Sequence, residues 1–199
     1  YTKGWDAKKK EDPSKGLHFV EWVARHVPST CKMAVLLPMQ AAIGNSEDIK
    51  AFKKKMMDNY TLDAVFSLPK EMFYPGASAV ACCMIFDLSQ KHTRSDKETF
   101  FGYFKDDKFI KRKGLGRIEM TDSEGNSLWI KTEKLWLDLY KNRKVVPGLS
   151  VKYKVTYEDE WLAEAYMETD YETLEENDFQ TTINSYLSYL VKEGEVYES

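Results

Sequence analysis

Two stretches of this 199-residue chain carry residue types that could do chemistry, and a third set is notable for what it excludes. Lys105, Lys108, Lys111, Arg112, Lys113 and Arg117 form a basic segment interrupted only by the acids Asp106 and Asp107. Such a run suits phosphate oxygens, each contact adding to a salt-dependent affinity. It equally suits the solvated face of a hairpin, and the residues leave both readings open. Gly114-Leu115-Gly116 follows this basic stretch rather than a buried strand, so it reads as a turn. The second stretch is an aromatic loop, Phe73-Tyr74-Pro75-Gly76, within residues 69–78. The third set is Cys31, Cys82 and Cys83 with His18, His26 and His92. The cysteine count is odd, with no CxxC spacing, and the histidines form no HExxH or HxxxH pair. A disulfide framework and a metal site are not expected. Cys82 and Cys83 sit in an apolar run and are expected on opposite faces of a strand as inert buried thiols. Reduced thiols point to a cytoplasmic protein.

The elements that must position these residues follow from periodicity. Leu17, Val20, Val23, Ala24 and Val27 keep helical spacing, so a helix is expected over 16–26, capped by Asp12 or Ser14 and ended by Pro28. Met33-Ala34-Val35-Leu36-Leu37-Pro38 reads as a strand buried on both faces. Asn45 or Ser46 offers the cap of a second helix. Its apolar face is Ile49, Phe52, Met56 and Met57, and its solvated face is Lys50, Lys53, Lys54 and Lys55. Residues 62–68 alternate apolar and polar, which predicts a half-buried strand near a sheet edge. Residues 79–86 are continuously apolar and read as a second fully buried strand. This order belongs to an α/β sheet. The last two strands are too close for a crossover and must pair as an antiparallel hairpin. In a mostly parallel sheet, ligands sit at the carboxyl ends of strands. The aromatic loop leaves such an end.

Beyond residue 88 the chain reads as a linker, then two short strands at 100–104 and 108–111 flanking Asp106-Asp107. A turn at 122–126 and a short amphipathic helix within 128–140 follow, with a strand before that helix. Residues 158–178 hold ten acids and no Lys or Arg. Trp161, Leu162, Ala165 and Tyr166 keep helical spacing there. A further helix is expected over 179–191, with Ile183, Tyr186, Leu187 and Leu190 on one face and Asn177 or Asp178 as cap. The expected division is 1–95, 96–150 and 151–199. The net charge of −3 excludes a uniformly basic nucleic-acid coat but not a local patch. The longest apolar run, at 79–86, falls far short of the roughly 20 residues of a membrane helix.

Taken in order, Met33-Ala34-Val35-Leu36-Leu37-Pro38, Leu62-Asp63-Ala64-Val65-Phe66-Ser67-Leu68-Pro69 and Met72-Phe73-Tyr74-Pro75-Gly76-Ala77-Ser78 with the apolar strand after them carry a resemblance. The chain resembles the second half of the catalytic domain of N6-adenine DNA methyltransferases, specifically the modification subunit of type I restriction–modification systems. The likeness is good over 16–88 and looser from Phe101 to Arg117 and into Glu158-Asp159-Glu160-Trp161-Leu162. It implies the C-terminal half of a doubly wound, Rossmann-like sheet that uses S-adenosylmethionine, with an antiparallel final hairpin, a β-rich extension and an acidic helical arm.

The resemblance also assigns roles. Tyr1, followed by Thr2-Lys3-Gly4, matches the aromatic end of the family's Asn/Asp-Pro-Pro-Tyr/Phe tetrapeptide, so the chain reads as cut from something longer. A target adenine must leave the duplex to be methylated. Aromatic faces then hold it, each stack contributing about 1–3 kcal/mol. The resemblance gives one face to Tyr1 and the other to Phe73 or Tyr74, with Phe73 preferred. The plainer alternative is Phe73 in the core and Tyr74 a surface ring. Lys108, Lys111, Arg112, Lys113 and Arg117 become candidate DNA contacts. The cofactor-binding Gly-rich turn and strand-end acid are expected before Tyr1, so this chain alone should neither bind S-adenosylmethionine nor methylate DNA. The C-terminal helices would dock on a specificity subunit, or pack within the chain. A non-catalytic docking module and a piece of an RNA-directed enzyme are the competing classes.

Overall fold

The computed structural model describes residues 12–93 and 97–168, with positions 180, 183, 184, 186 and 187. Tyr1 and most of the tail helix expected at 179–191, with its caps Asn177 and Asp178 and Leu190, lie outside the described residues. These residues fall into two compact units, divided between Met167 and Glu168. In the second unit positions 180, 183, 184, 186 and 187 are helical, and Gln180 Nε2 donates to Asn184 Oδ1, its i+4 neighbour, at 3.0 Å.

The first unit is built on five strands in the order β1 (Lys32–Pro38), β3 (Ala81–Asp87), β2 (Thr61–Ser67), β4 (Thr99–Tyr103) and β7 (Ser150–Tyr153). β3 is antiparallel to both β1 and β2, so the expected hairpin forms. β4 runs parallel to β2, and β7 is antiparallel to β4. The sheet is therefore mostly antiparallel by ladder, not mostly parallel as the element order predicts. Even so, β1, β2 and β4 run in one direction. A separate ribbon pairs β5 (Phe109–Arg112) with β6 (Gly116–Glu119).

Helices α1 (Leu17–His26) and α3 (Glu47–Asn59) cover one face of the sheet, along with the short α2 (Gln40–Ile43) and a single 3-10 turn, Ala163–Ala165. Leu17, Val20, Met56, Leu62, Met84, Phe86 and Trp161 close this core. Helix α4 (Leu128–Lys141) covers part of the other face, packing its Leu139 with Ala64, Phe100 and Phe104. The cap predicted at Ser46 forms, whereas α1 starts from Gly16 without a side-chain cap, and Asp12 and Ser14 bond around that entry instead. The Ser46 hydroxyl accepts from Ile49 N at the start of α3. Asp12 accepts from Ser14 N and Gly16 N, and Ser14 Oγ accepts from His18 N, fastening the entry to α1.

Several expectations are corrected. β1, read as buried on both faces, is an edge strand whose Leu36 is 56% exposed. β2, read as a half-buried strand near an edge, is central and almost wholly buried. Its polar residues are not solvated but bonded inside. Thr61 Oγ1 donates to the Gln90 and Lys91 carbonyls, Ser67 Oγ to Glu164, and Asp63 meets Lys32, Tyr140 and Arg143. Lys53, assigned to the solvated face of α3, is buried. Residues 99–103 do not flank Asp106-Asp107 as half of a hairpin but extend the main sheet. The boundary expected after residue 95 thus separates two strands, β3 and β4, of one sheet. Residues 158–167 form turns and the 3-10 element instead of a long helix, because Trp161, Leu162 and Ala163 turn inward to the core.

Candidate nucleic-acid interface

Since β1, β2 and β4 share a direction, their carboxyl ends meet at one rim of the sheet. β2 delivers the aromatic loop there. Its neck is closed by Leu68 N donating to the Ala81 carbonyl at 3.3 Å. Inside it, Tyr74 N donates to the Glu71 carbonyl at 3.0 Å and Ala77 N to the Phe73 carbonyl at 3.0 Å, and the Tyr74–Pro75 peptide is cis. Phe73 is 38% exposed and Tyr74 half-buried.

β4 delivers the basic segment to the same rim. Asp107 organises it: Arg117 Nη2 reaches both carboxylate oxygens at 2.6 and 2.7 Å, and Phe109 N donates to Oδ1 at 3.1 Å. A buried pair with both acceptor oxygens engaged holds the base of the β5–β6 ribbon. Lys108 pairs with Asp106. Lys105 pairs with Glu164 at 2.5 Å, which also accepts from Ser67 Oγ at 2.5 Å. Burial pushes the Glu164 carboxyl up, but Lys105 and Ser67 outweigh it and hold it below its ordinary value. Lys111 lies over the Tyr74 ring at 4.3 Å from the centroid. Arg112 and Lys113 are exposed, without an ion pair among the described residues.

The five candidate DNA contacts thus divide. Lys108 and Arg117 are engaged within the chain, Lys111 bridges to the aromatic loop, and Arg112 with Lys113 faces solvent. Phe73 and Tyr74 stand beside that ribbon, and Tyr1 lies outside the described residues. The Gly114-Leu115-Gly116 turn is present, with Leu115 N donating to the Arg112 carbonyl at 3.2 Å.

Sequence patterns do not reveal an apolar groove of about 350 Å³ between the sheet and α4, next to the aromatic loop. Leu36, Leu68, Met72, Trp129, Trp136 and Leu137 line it. Its signal in the sequence is only the excess of Trp and Leu on α4.

Burial pushes the Cys82 thiol up to about 12, and it raises that of Cys83 as well, so neither is a nucleophile near neutral pH. No group of three or more His, Cys, Asp or Glu among the described residues could hold a metal. No helix among them is long and apolar enough to cross a membrane. A dinucleotide-like cofactor needs a Gly-rich turn after a strand and an acid at a strand end. At this rim the described strands run into Pro38, into Leu68-Pro69 and into Phe104 instead. Among the described residues, this rim therefore offers no such turn or acid for S-adenosylmethionine.

Comparison with known proteins shows the family. The profile of the N-6 DNA Methylase family matches residues 2–193. The chain is 28% identical over 173 residues to the type II restriction enzyme and methyltransferase RM.BcgI of Heyndrickxia coagulans, covering 87% of this chain and 26% of that protein. It thus spans about a quarter of that relative's length. In fold it is similar to the type I restriction–modification system methyltransferase subunit of Streptococcus thermophilus, with TM-score 0.55 and 18% identity over 84% of this chain and 36% of that one. It is also similar to a modification subunit from Vibrio vulnificus, with TM-score 0.50 and 13% identity over 72% of this chain and 29% of that one. With a family match running across nearly the whole sequence, the chain belongs to the N-6 DNA methylases.

Proposed function

We propose that this chain supplies the base-facing part of an enzyme that methylates N6 of an adenine flipped out of DNA, within a restriction–modification system in the cytoplasm. In this reading its sheet is the C-terminal half of a doubly wound methyltransferase sheet. Tyr1 and Phe73 or Tyr74 hold the extruded base. S-adenosylmethionine is held by residues this chain does not contain, so the chain alone is inactive. Its acidic C-terminal helices dock on the specificity subunit that reads the sequence.

One observation carries the reading: the exposed aromatic loop and the solvent-facing Arg112–Lys113 pair emerge from one rim and touch through Lys111 and Tyr74. Aromatic faces for a base beside cations for phosphates are the two requirements of binding an unstacked nucleotide. The test is methyl incorporation into DNA by the full-length protein with its sequence-reading partner and labelled S-adenosylmethionine. Phe73→Ala and Tyr74→Ala are made separately. Loss of a base stack lowers the rate about 10- to 100-fold in at least one variant, with cofactor affinity unchanged. Wild-type rates in both overturn the role of the loop.

A second reading, a non-catalytic docking module, is favoured by the apolar groove beside Leu36 and Trp136. It requires that the full-length protein with its partner and cofactor transfer no methyl group at all.

A further inference from the structure

We propose that Leu115 is a wedge that enters the base stack of duplex DNA beside the position a base has left. The inference rests on the reading of this rim as a DNA surface and gives one residue a task within it.

Leu115 is 74% exposed. A single exposed leucine means little. What singles this one out is how it is held. Arg112 pairs with Gly116 as the last rung of the β5–β6 ladder, so residues 113–115 form the tip. Gly114 and Gly116 flank Leu115 with φ of 79° and 86°, backbone that an ordinary side chain resists. A Cβ added at Gly114 would meet nothing within 4 Å. The tip therefore stands clear of the protein, and its two glycines leave the leucine projecting without side-chain neighbours beside it.

The base of the ribbon is rigid by comparison. Asp107 ties Arg117 and Phe109 N, Asp106 ties Lys108, and Ser127 Oγ meets Glu119. Asp106 and Asp107 are thereby paired with cations, which leaves Arg112 and Lys113 as cations without an ion pair on the strand that enters the tip. An apolar side chain next to cations on a tied support is the form of residues that part base steps from a groove. Position agrees with this. The same ribbon lies against the aromatic loop, through Lys111 over Tyr74 and through Gly116, where a Cβ would stand 3.9 Å from Pro75 Cδ. A wedge at Leu115 would fill the stack close to where Phe73 or Tyr74 receives the base.

The experiment uses the full-length protein and two labelled duplexes of one sequence, intact and with a single abasic site, titrated by fluorescence anisotropy across a salt series. An abasic site removes the unstacking penalty of a few kcal/mol that a wedge must meet, so wild type binds it about tenfold more tightly. Leu115→Ala abolishes that preference and keeps the slope of log affinity against log salt. Leu115→Met keeps the preference. Arg112→Glu with Lys113→Glu lowers the slope by about two and keeps the preference. A wild type indifferent to the abasic site, or Leu115→Ala still preferring it, overturns the wedge. With the salt slope intact, that result leaves the DNA-facing reading standing; absence of salt-dependent DNA binding overturns both. If Leu115→Ala weakens association with a protein subunit but not the abasic preference, the tip is a protein contact and the wedge is wrong.

Discussion

The ammonium of Lys111 lies 4.3 Å from the centroid of the Tyr74 ring, joining two segments the sequence keeps 37 positions apart. One segment was read for its aromatics and the other for its charge, and this contact makes them one surface. It sets the ring and the cations side by side. A lysine over an aromatic face at a solvent-accessible site contributes about 0.5–1 kcal/mol.

That contact predicts a coupling. Lys111→Ala, Tyr74→Leu and the double variant, compared by urea unfolding, should show an interaction energy of about 0.5–1 kcal/mol. Strict additivity would mean that the two side chains meet without holding each other.

Asp63 predicts an acid-sensitive core. Its side chain is 2% exposed, with Lys32 Nζ at 3.1 Å and the Tyr140 hydroxyl at 2.8 Å, and Arg143 pairs with it as well. Burial pushes the carboxyl up, but Tyr140, Arg143 and Lys32 together hold it below its ordinary value. Unfolding restores the higher value, so the stability it provides is complete above the ordinary carboxylate range. It is lost as pH falls through the lowered folded value. Lys32 and Arg143 both reach water, so Asp63→Asn at pH 7 is expected to cost about 1–3 kcal/mol, below the loss for a sealed ion pair. Thermal unfolding should show the gap to wild type closing in acid. A gap independent of pH would deny the ionised role.

Lys53 predicts a second rise of stability with pH, at the alkaline end. It is 1% exposed, its Nζ donates to the Ala42 carbonyl at 2.5 Å and the Asp159 carbonyl at 3.1 Å, and it stands 4.8 Å from the centre of the Trp161 ring. Burial pushes its pKa from 10.5 down to about 8, with Glu160 and Asp159 opposing. Between these values the unfolded chain binds the proton and the folded chain does not, so stability rises with pH across that window. A neutral amine still has hydrogens for both carbonyls. The difference in urea midpoint between wild type and Lys53→Met should therefore move in favour of wild type from pH 7.5 to pH 10. An unchanged difference would show that Lys53 does not titrate there.

Asp63 and Lys53 also show why local pattern mispredicts β2 and the outer face of α3. Asp63 sits where β2 is bulged, between Leu62 and Ala64 in its pairing with β3. One extra residue placed an acid in an apparent outward position, and Asp63 and Ser67, alternating with apolar neighbours over 62–68, imitate a solvated face. Partners for those groups come from residues 140, 143 and 164, which no local pattern can supply. Likewise, Lys53 looked solvated because the segment that buries it, ending at Trp161, is more than a hundred residues away. β1 erred the other way: its apolar run reports a face suited to burial, and the described residues leave Leu36 in the open. What local chemistry determines was legible: the Ser46 cap, the apolar face of α3, the β2–β3 hairpin and the tight glycine turn. The aromatic loop was found because its neighbours fix its rim. Its contact with the ribbon was not, since β4 had to join the main sheet before Lys111 could reach Tyr74.

The closed neck between Leu68 and Ala81 has a further consequence. Because β2 and β3 are adjacent and antiparallel, the connection between them has no helix to thread and no face of the sheet to cross. Its length is free of the scaffold, and the entropic penalty of added residues grows only slowly. The loop is thus a replaceable cassette: insertions, deletions or exchanges between residues 69 and 80 can reshape what the rim receives while every strand register stays where it is.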